Sequence, residues 1–369
     1  MNPTPVSDQA VLRDLVARSI EVIAAEQAPT GAYPACSTFS VYGYAWLRDG
    51  AFVADGVSAH GVVDGPSAFH DWAARVVTER ADRVGEVVAA LDAGRPVAEA
   101  SFLPTRYTLD GRDGTEGWWD FQLDGYGIWL WALDRHLRRH GLDGGSYRRA
   151  VELTVRYLCA SWRLPCYDWW EEHIEQVHVA TLAAIEAGLR AAVRTGLLDA
   201  AASARAVEAA SGIAALVAGD GLVDGRLRKW LRSEAVDGSL LAAVAPFEVV
   251  GLDVARRTVV AVEADLLDGG GVHRFRDDVF YGGGRWPVLA GLLGHAYARL
   301  DRTSDARREL EWIAGTADTD GHLPEQVSDR LLAPDQLPVW VDRWGTVASP
   351  LLWSHGAYLS LAARLGITA

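Results

Sequence analysis

Apolar residues recur at intervals of three and four along most of this chain, the spacing that lays one face of an α-helix against a core. The first such stretch runs from Ser7 to Glu26, where a Ser-Asp pair offers a cap and Val11, Leu15, Ile20 and Ile23 mark the apolar side. Further helices are expected at about 66–92, 122–141, 146–162, 176–195, 197–218, 254–267, 284–302, 304–315 and 349–365. Two-residue alternation bounded by hairpin turns is scarce. Between the helices lie polar, Gly-rich or Trp-rich connections at 28–49, 95–121, 163–175, 219–253, 268–283 and 316–348. Some are long, and long ordered loops in a compact domain are usually functional. They follow roughly every second helix, with short turns between. That rhythm is expected of helix hairpins set in a ring, with a site built from loops at one end. No Ser/Pro-rich linker or shift in composition divides the chain, so one domain over 1–369 is expected.

Half of the 369 residues are hydrophobic, ample for a large buried core. The net charge of −14 argues against a nucleic-acid partner, whose phosphates need a basic surface. Lysine occurs once, at Lys229, and the arginines are scattered. The first residues lack the basic and apolar regions of a secretory signal, and no apolar run approaches the roughly 20 residues of a membrane span. Cys36, Cys159 and Cys166 form no metal-ligand spacing and leave an odd thiol, which suits a reducing compartment. A cytoplasmic location is the resulting expectation, with substrates small enough to be imported.

Tryptophan changes the picture most: there are 15, beside 11 tyrosines. Core packing accounts for some of them, but their placement beside charged side chains does not fit packing alone. Five loop segments share that character. They are 44–49 (Tyr44, Trp46, Arg48, Asp49), 118–124 (Trp118, Trp119, Gln122, Asp124), 167–173 (Trp170, Glu171, Glu172), 273–278 (Arg274) and 323–326 (Glu325, Gln326). A neutral polyol with apolar ring faces needs both kinds of group in one pocket, because indoles stack on the C–H faces while charged groups take the hydroxyls. Cleaving a glycosidic bond also needs two carboxyl groups, one to protonate the leaving oxygen and one to activate water or attack the sugar. Glu171 follows two tryptophans and adjoins Glu172, both of which disfavour its ionised form. Glu325 lies in a Pro-Glu-Gln segment after a Gly and could meet Glu171 only across a folded pocket. Taken alone, Glu-Glu here could equally complement a helix dipole.

The five segments, in this order, resemble the motif set of glycoside hydrolase family 15, the glucoamylases and glucodextranases. The resemblance extends to Phe280-Tyr281-Gly282-Gly283-Gly284-Arg285-Trp286-Pro287 and to Pro350-Leu351-Leu352-Trp353-Ser354-His355-Gly356-Ala357, and so covers about 42–365. It implies an all-α (α/α)6 barrel, exo-attack at non-reducing ends and release of β-glucose with inversion. It implies Glu171 as general acid and Glu325 as general base, the latter holding water on the opposite face of the ring. By the same resemblance Arg48 and Asp49 grip the terminal glucose, Trp118 stacks near the cleaved bond, and Glu172 and Arg274 contact the leaving-group sugar or hold the pocket. Tyr44, Trp46, Trp170, Tyr281 and Trp286 complete the expected sugar-binding set. Leu47 and the Gly-Gly-Gly-Arg turn depart from the fungal pattern, and neither a starch-binding module nor an N-terminal β-sandwich is expected in these 369 residues.

The remaining motifs read more plainly. Gln122 and Asp124 brace their loop, His178 and His355 are core or supporting histidines, and Trp353 and Tyr358 sit on a helical apolar stripe. Of Trp118 and Trp119, Trp118 is expected in the pocket and Trp119 in the core. Gly282 to Gly284 lacks the lysine and preceding strand of a phosphate loop. The expected protein is therefore a hydrolase of short α-linked gluco-oligosaccharides, with α-1,6 linkages favoured over α-1,4. No cofactor, metal or membrane partner is expected, and the chain is expected as a monomer or small homo-oligomer. Trehalose hydrolysis, phosphorolysis and a catalytically silent sugar sensor are the competitors; the presence of Glu325 counts against phosphorolysis, and the presence of both carboxylates against the sensor.

Overall fold

The computed structural model describes residues 8–369. Fourteen helices follow one another among them. The first half holds α1 (Gln9–Glu26), α2 (Leu47–Ala59), α3 (Asp64–Thr78), α4 (Ala81–Asp92), α5 (Asp124–His140), α6 (Arg148–Ser161) and α7 (Val179–Arg194). The second holds α8 (Ala200–Asp220), α9 (Leu241–Val244), α10 (Leu252–Asp265), α11 (Pro287–Arg299), α12 (Thr303–Ala314), α13 (Leu337–Trp344) and α14 (Leu352–Arg364). Three two-residue ladders staple the loops: β1 (Ala45–Trp46) with β2 (Arg106–Tyr107), β3 (Leu222–Val223) with β4 (Arg226–Leu227), and β5 (Val272–His273) with β6 (Arg285–Trp286).

Six helices close an inner ring, α2–α5–α7–α9–α11–α14 and back to α2, and α1, α3, α6, α8, α10 and α12 pack outside it. This is the expected (α/α)6 barrel. Inner and outer helices differ in pattern for a physical reason. An inner helix meets neighbours all round, so α11 and α14 are buried along most of their length. An outer helix such as α6 buries one stripe, Val151, Leu153, Val155, Tyr157 and Leu158 among it, and wets the other. Glycine sets how closely the inner staves approach. A Cβ on Gly127 of α5 would stand 2.4 Å from the Ala184 carbonyl oxygen of α7, and one on Gly188 would stand 2.3 Å from the Gly127 oxygen.

Most expected helices sit within a few residues of their sequence-derived bounds. Asp8 caps α1 by accepting from the Ala10 N–H, while Ser7 lies outside the described residues. The single stretch expected at 66–92 is two helices, broken at Glu79–Arg80. There Arg80 turns back to the Val76 carbonyl and out to Asp113. Helix α2 is not foreshadowed in the pattern, because Arg48, Asp49 and Asp55 are buried on it and leave no polar face to read. One helix among the described residues, α8, is long and apolar enough to cross a membrane by length and composition alone. It carries Arg205 and Glu208 and packs along α7 as an outer stave.

Candidate active site

The inner helices all present their N-terminal ends to one side of the ring, and the segments singled out in the sequence converge there. Trp46 caps α2, and Arg48 and Asp49 occupy its first turn. Trp286 precedes Pro287, the first residue of α11, and Leu351 precedes α14. Between these ends opens a cleft. Its wall includes ten of the twelve expected site residues: Trp46, Arg48, Asp49, Trp118, Trp170, Glu171, Glu172, Arg274, Trp286 and Glu325.

Glu171 reaches the cleft through a tight turn. The Asp168 carboxylate accepts the N–H groups of Trp170 and Glu172, and the Asp168 carbonyl accepts that of Glu171. Glu171 itself is left-handed, with φ of 67°, a conformation that costs a residue bearing a Cβ and is therefore held by its surroundings. Its carboxyl accepts a 2.9 Å hydrogen bond from Trp46 Nε1.

Glu325 is fixed from behind. Its N–H donates to the Ala348 carbonyl, the Pro324 carbonyl accepts from Ser354 Oγ, and the neighbouring Gln326 side chain accepts from Gly284 N–H. The Glu325 carboxyl is buried, accepts a 2.9 Å hydrogen bond from the Tyr42 hydroxyl at Oε1, and has no partner at Oε2. Burial pushes it up to about 8, against the pull of Tyr42 and Arg274. A carboxyl balanced this way exchanges a proton readily near neutrality.

Beneath the cleft, Arg48 donates to Gln122 Oε1 at 2.6 Å and to Asp124 Oδ2 at 3.0 Å, so both bracing roles hold. Its Nε lies 3.5 Å from Asp49 Oδ2, an oxygen that is buried and accepts no hydrogen bond. Burial lifts Asp49 to about 7, with Arg48 opposing and Glu171 adding to the rise. An unsatisfied buried acceptor facing a cleft is completed by a ligand donor such as a hydroxyl. On the far side Arg274 is locked bidentate by Asp278 and lies 3.8 Å from Glu172 Oε1. Its guanidinium stands over Trp170 at 5.2 Å and over Phe280 at 5.0 Å.

Two expected residues lie elsewhere. Tyr44 stands at the exposed rim, its hydroxyl bonded to Glu116 and its ring 4.0 Å from the Arg106 guanidinium. Tyr281 is fully buried behind the cleft, donating to the Gly345 carbonyl. The expected division of Trp118 and Trp119 also fails: both line the cleft, and Trp119 is 39% exposed. Trp353, read as core, is buried against Phe52 yet forms part of the cleft wall, whereas Tyr358 is wholly core. His355 supports the base loop by accepting the Leu323 N–H, and His178 bonds the His173 carbonyl.

Sequence reasoning missed Tyr42, Trp169, Trp340 and Trp344 at the wall. Tyr42 sits two residues before the Tyr44 motif and carries no spacing that marks it. Trp340 and Trp344 lie on α13, inside a segment read as loop, and build an aromatic rim with Phe280 at 5.0 and 6.2 Å. Among the described residues no group of three or more His, Cys, Asp or Glu side chains is placed to hold a metal ion.

A helical barrel whose loop end gathers tryptophans, an Arg-Asp pair and two separately held carboxyls is the site of a glycoside hydrolase. The family model described as glycosyl hydrolases family 15 matches residues 10–242. Isomaltose glucohydrolase of Kribbella flavida is 52% identical over 362 residues, 97% of this chain and 94% of that protein. A glycosidase variant solved in complex with glucose superposes with a TM-score of 0.96 at 51% identity, covering 98% of each chain. A bacterial glucoamylase complexed with acarbose shares the fold at 20% identity, with a TM-score of 0.72 over 96% of this chain and 56% of that one. The chain belongs to glycosyl hydrolases family 15.

Proposed function

We propose that this protein is an inverting, exo-acting glucohydrolase that releases β-glucose from the non-reducing end of short α-glucosides, with isomaltose the preferred substrate. The observation that carries the reading is the pairing of two carboxyls in one aromatic cleft, each held by a single aromatic donor: Glu171 by Trp46 and Glu325 by Tyr42. Glu171 acts as general acid on the glycosidic oxygen. Glu325 acts as general base, taking a proton from water at Oε2, which no protein group occupies. Tyr42 keeps that carboxylate oriented while the water attacks.

The terminal glucose rests with its hydroxyls on Arg48 and Asp49. A fixed acceptor locked by an adjacent guanidinium rejects a sugar with an inverted hydroxyl, since the mismatch leaves a buried polar atom unpaired. Trp118 and Trp170 supply faces for the ring, and Arg274 and Glu172 meet the leaving sugar. Identity of 52% with an isomaltose glucohydrolase over nearly the whole chain supports the α-1,6 preference. A reducing-compartment location and a monomer or small homo-oligomer complete the reading.

Time-resolved proton NMR on an equal mixture of isomaltose, maltose and trehalose tests it. The expected result is loss of the isomaltose anomeric signal with β-glucose appearing first. Early α-glucose would overturn the water-activating role of Glu325, and preferential loss of trehalose or maltose would move the substrate assignment.

A further inference from the structure

Lys229 is the one lysine among the 35 Lys and Arg residues of the chain, and it is buried. Elsewhere the chain meets every need for positive charge with arginine. A lone lysine therefore marks a place that a planar fork does not suit, and a compact ammonium with three rotatable donors does. That place is directly behind the turn that carries Glu171. Lys229 Nζ lies 3.1 Å from Asp237 Oδ2 and 3.9 Å from Asp168 Oδ2, and 3.4 Å from the centre of the Phe275 ring. Its carbonyl accepts the Val179 N–H at the start of α7, which ties the ammonium's position to an inner stave of the barrel.

Both carboxylates it touches act on the turn. The Asp168 carboxylate winds the turn by accepting from Trp170 and Glu172, and Asp237 accepts the Trp170 indole N–H at 3.0 Å. Two carboxylates buried this close repel each other without a cation between them. Burial and Asp237 already lift Asp168 to about 6 with Lys229 opposing, so loss of the ammonium favours a protonated Asp168. A protonated carboxyl is a poorer acceptor for two backbone N–H groups, and the left-handed Glu171 depends on those bonds.

We propose that Lys229 is a positioning residue for the acid half of the reaction, holding the 168–172 turn so that the Glu171 carboxyl faces the glycosidic oxygen. The proposal rests on Glu171 being the general acid. A substrate whose leaving group needs no proton isolates this role, because fluoride departs from α-glucosyl fluoride with little help from an acid.

The experiment compares wild type, Glu171→Gln and Lys229→Met on the fastest disaccharide and on α-glucosyl fluoride. Lys229→Met is expected to lose about 100-fold in kcat on the disaccharide, in the range that general acids contribute. Its KM, and its rate on the fluoride, should stay within about threefold of wild type. An equal loss on both substrates would mean that the lysine only supports the fold, and no loss on either would mean that it does nothing; each overturns the proposal. Should Lys229→Met fail to fold, Asp168→Asn puts a neutral acceptor under the turn, the same change that loss of the ammonium brings about, while Lys229 stays paired with Asp237. The same split, reduced to about 10-fold, is then required. Glu171→Gln separates the two claims: full disaccharide activity there would remove the acid assignment itself, whatever Lys229→Met does.

Discussion

The Tyr42 hydroxyl and the Glu325 carboxyl are joined at 2.9 Å through Oε1, while Oε2 of the same group is buried and accepts nothing. One oxygen is thereby fixed for geometry, and the other is left for chemistry. The bond also tunes the proton affinity of the group. Burial drives Glu325 up to about 8, and the Tyr42 bond is the largest effect opposing that rise.

A general base works ionised, so kcat/KM falls as pH drops through its pKa in the free enzyme. The acid limb should therefore lie above the ordinary glutamate value of about 4.3. Tyr42→Phe removes a donor that favours the carboxylate, so the limb should move to higher pH. A hydrogen bond to a charged group contributes about 1.5–3 kcal/mol, which sets the expected shift at about one to two units. The pH profile of kcat/KM checks this, and a limb that stays put or moves down would separate Tyr42 from the base.

The same carboxyl should cost the fold stability. Its folded pKa is raised above the unfolded value, so its contribution is fully present below pH 4.5 and is lost as pH rises through about 8. Glu325→Gln removes the charge but keeps an oxygen for Tyr42. The variant should be inactive, with a Tm near that of wild type at pH 4 and above it at pH 8. A gain of ~1–2 kcal/mol is about 1–3 °C for a chain of this length. Thermal melts across that range decide it; a variant less stable than wild type at pH 8 would contradict the burial argument.

Asp49 should act as an anchor with a measurable share of glucose affinity. Its Oδ2 is buried without a hydrogen bond, and Arg48 holds it from one side only. Asp49→Asn should weaken binding of glucose by about 10- to 100-fold, the loss of one or two charge-assisted hydrogen bonds of ~1.5–3 kcal/mol. Titration calorimetry with glucose is the check. Unchanged affinity would place the sugar elsewhere in the cleft.

What the sequence disclosed and what it hid follow from one property, the spacing of contrasts along the chain. The outer helices were legible because one wet face leaves a period to detect, as on α6. Helix α2 hid because it is dry on every side and still carries Arg48, Asp49 and Asp55. Polar residues that point inward mimic a loop. At the site, Glu171 and Arg48 announced themselves as charges beside tryptophans, a pairing neither surface nor core explains. Tyr42 did not, since a tyrosine that bonds a carboxyl 283 positions away looks like any other tyrosine in its own segment. Trp340 escaped for a related reason: α13 has no buried residue to give it a periodic face, and its indoles meet the cleft only after the chain returns across the ring. Likewise Gly127 and Gly188 carry no local signal of their contact, which exists only once α5 and α7 are side by side.

The histidine at the centre of the outer wall offers a test of acid stability. His70 on α3 is fully buried, both its ring nitrogens lack partners, and its ring stands 5.2 Å from that of His136. His136 in turn bonds Ser58 and Ser67, each at 2.9 Å. Burial pulls His70 down to about 3, with the neighbouring His136 adding to the fall. A depressed histidine pKa means that the folded state holds the neutral ring. That stability is present above the unfolded value of about 6.5 and is lost as pH falls towards 3. At pH 4.5, two units below the unfolded value, the loss amounts to ~2.7 kcal/mol for one such ring. His70→Phe keeps an aromatic ring beside Phe69 and has no proton to gain. Whatever it costs at pH 7, its unfolding free energy should fall by about 2 kcal/mol less than wild type between pH 7 and pH 4.5. Urea melts at the two pH values measure that difference. Parallel losses in both proteins would mean that His70 does not hold its neutral form in the fold, and that the acid sensitivity arises at other buried histidines.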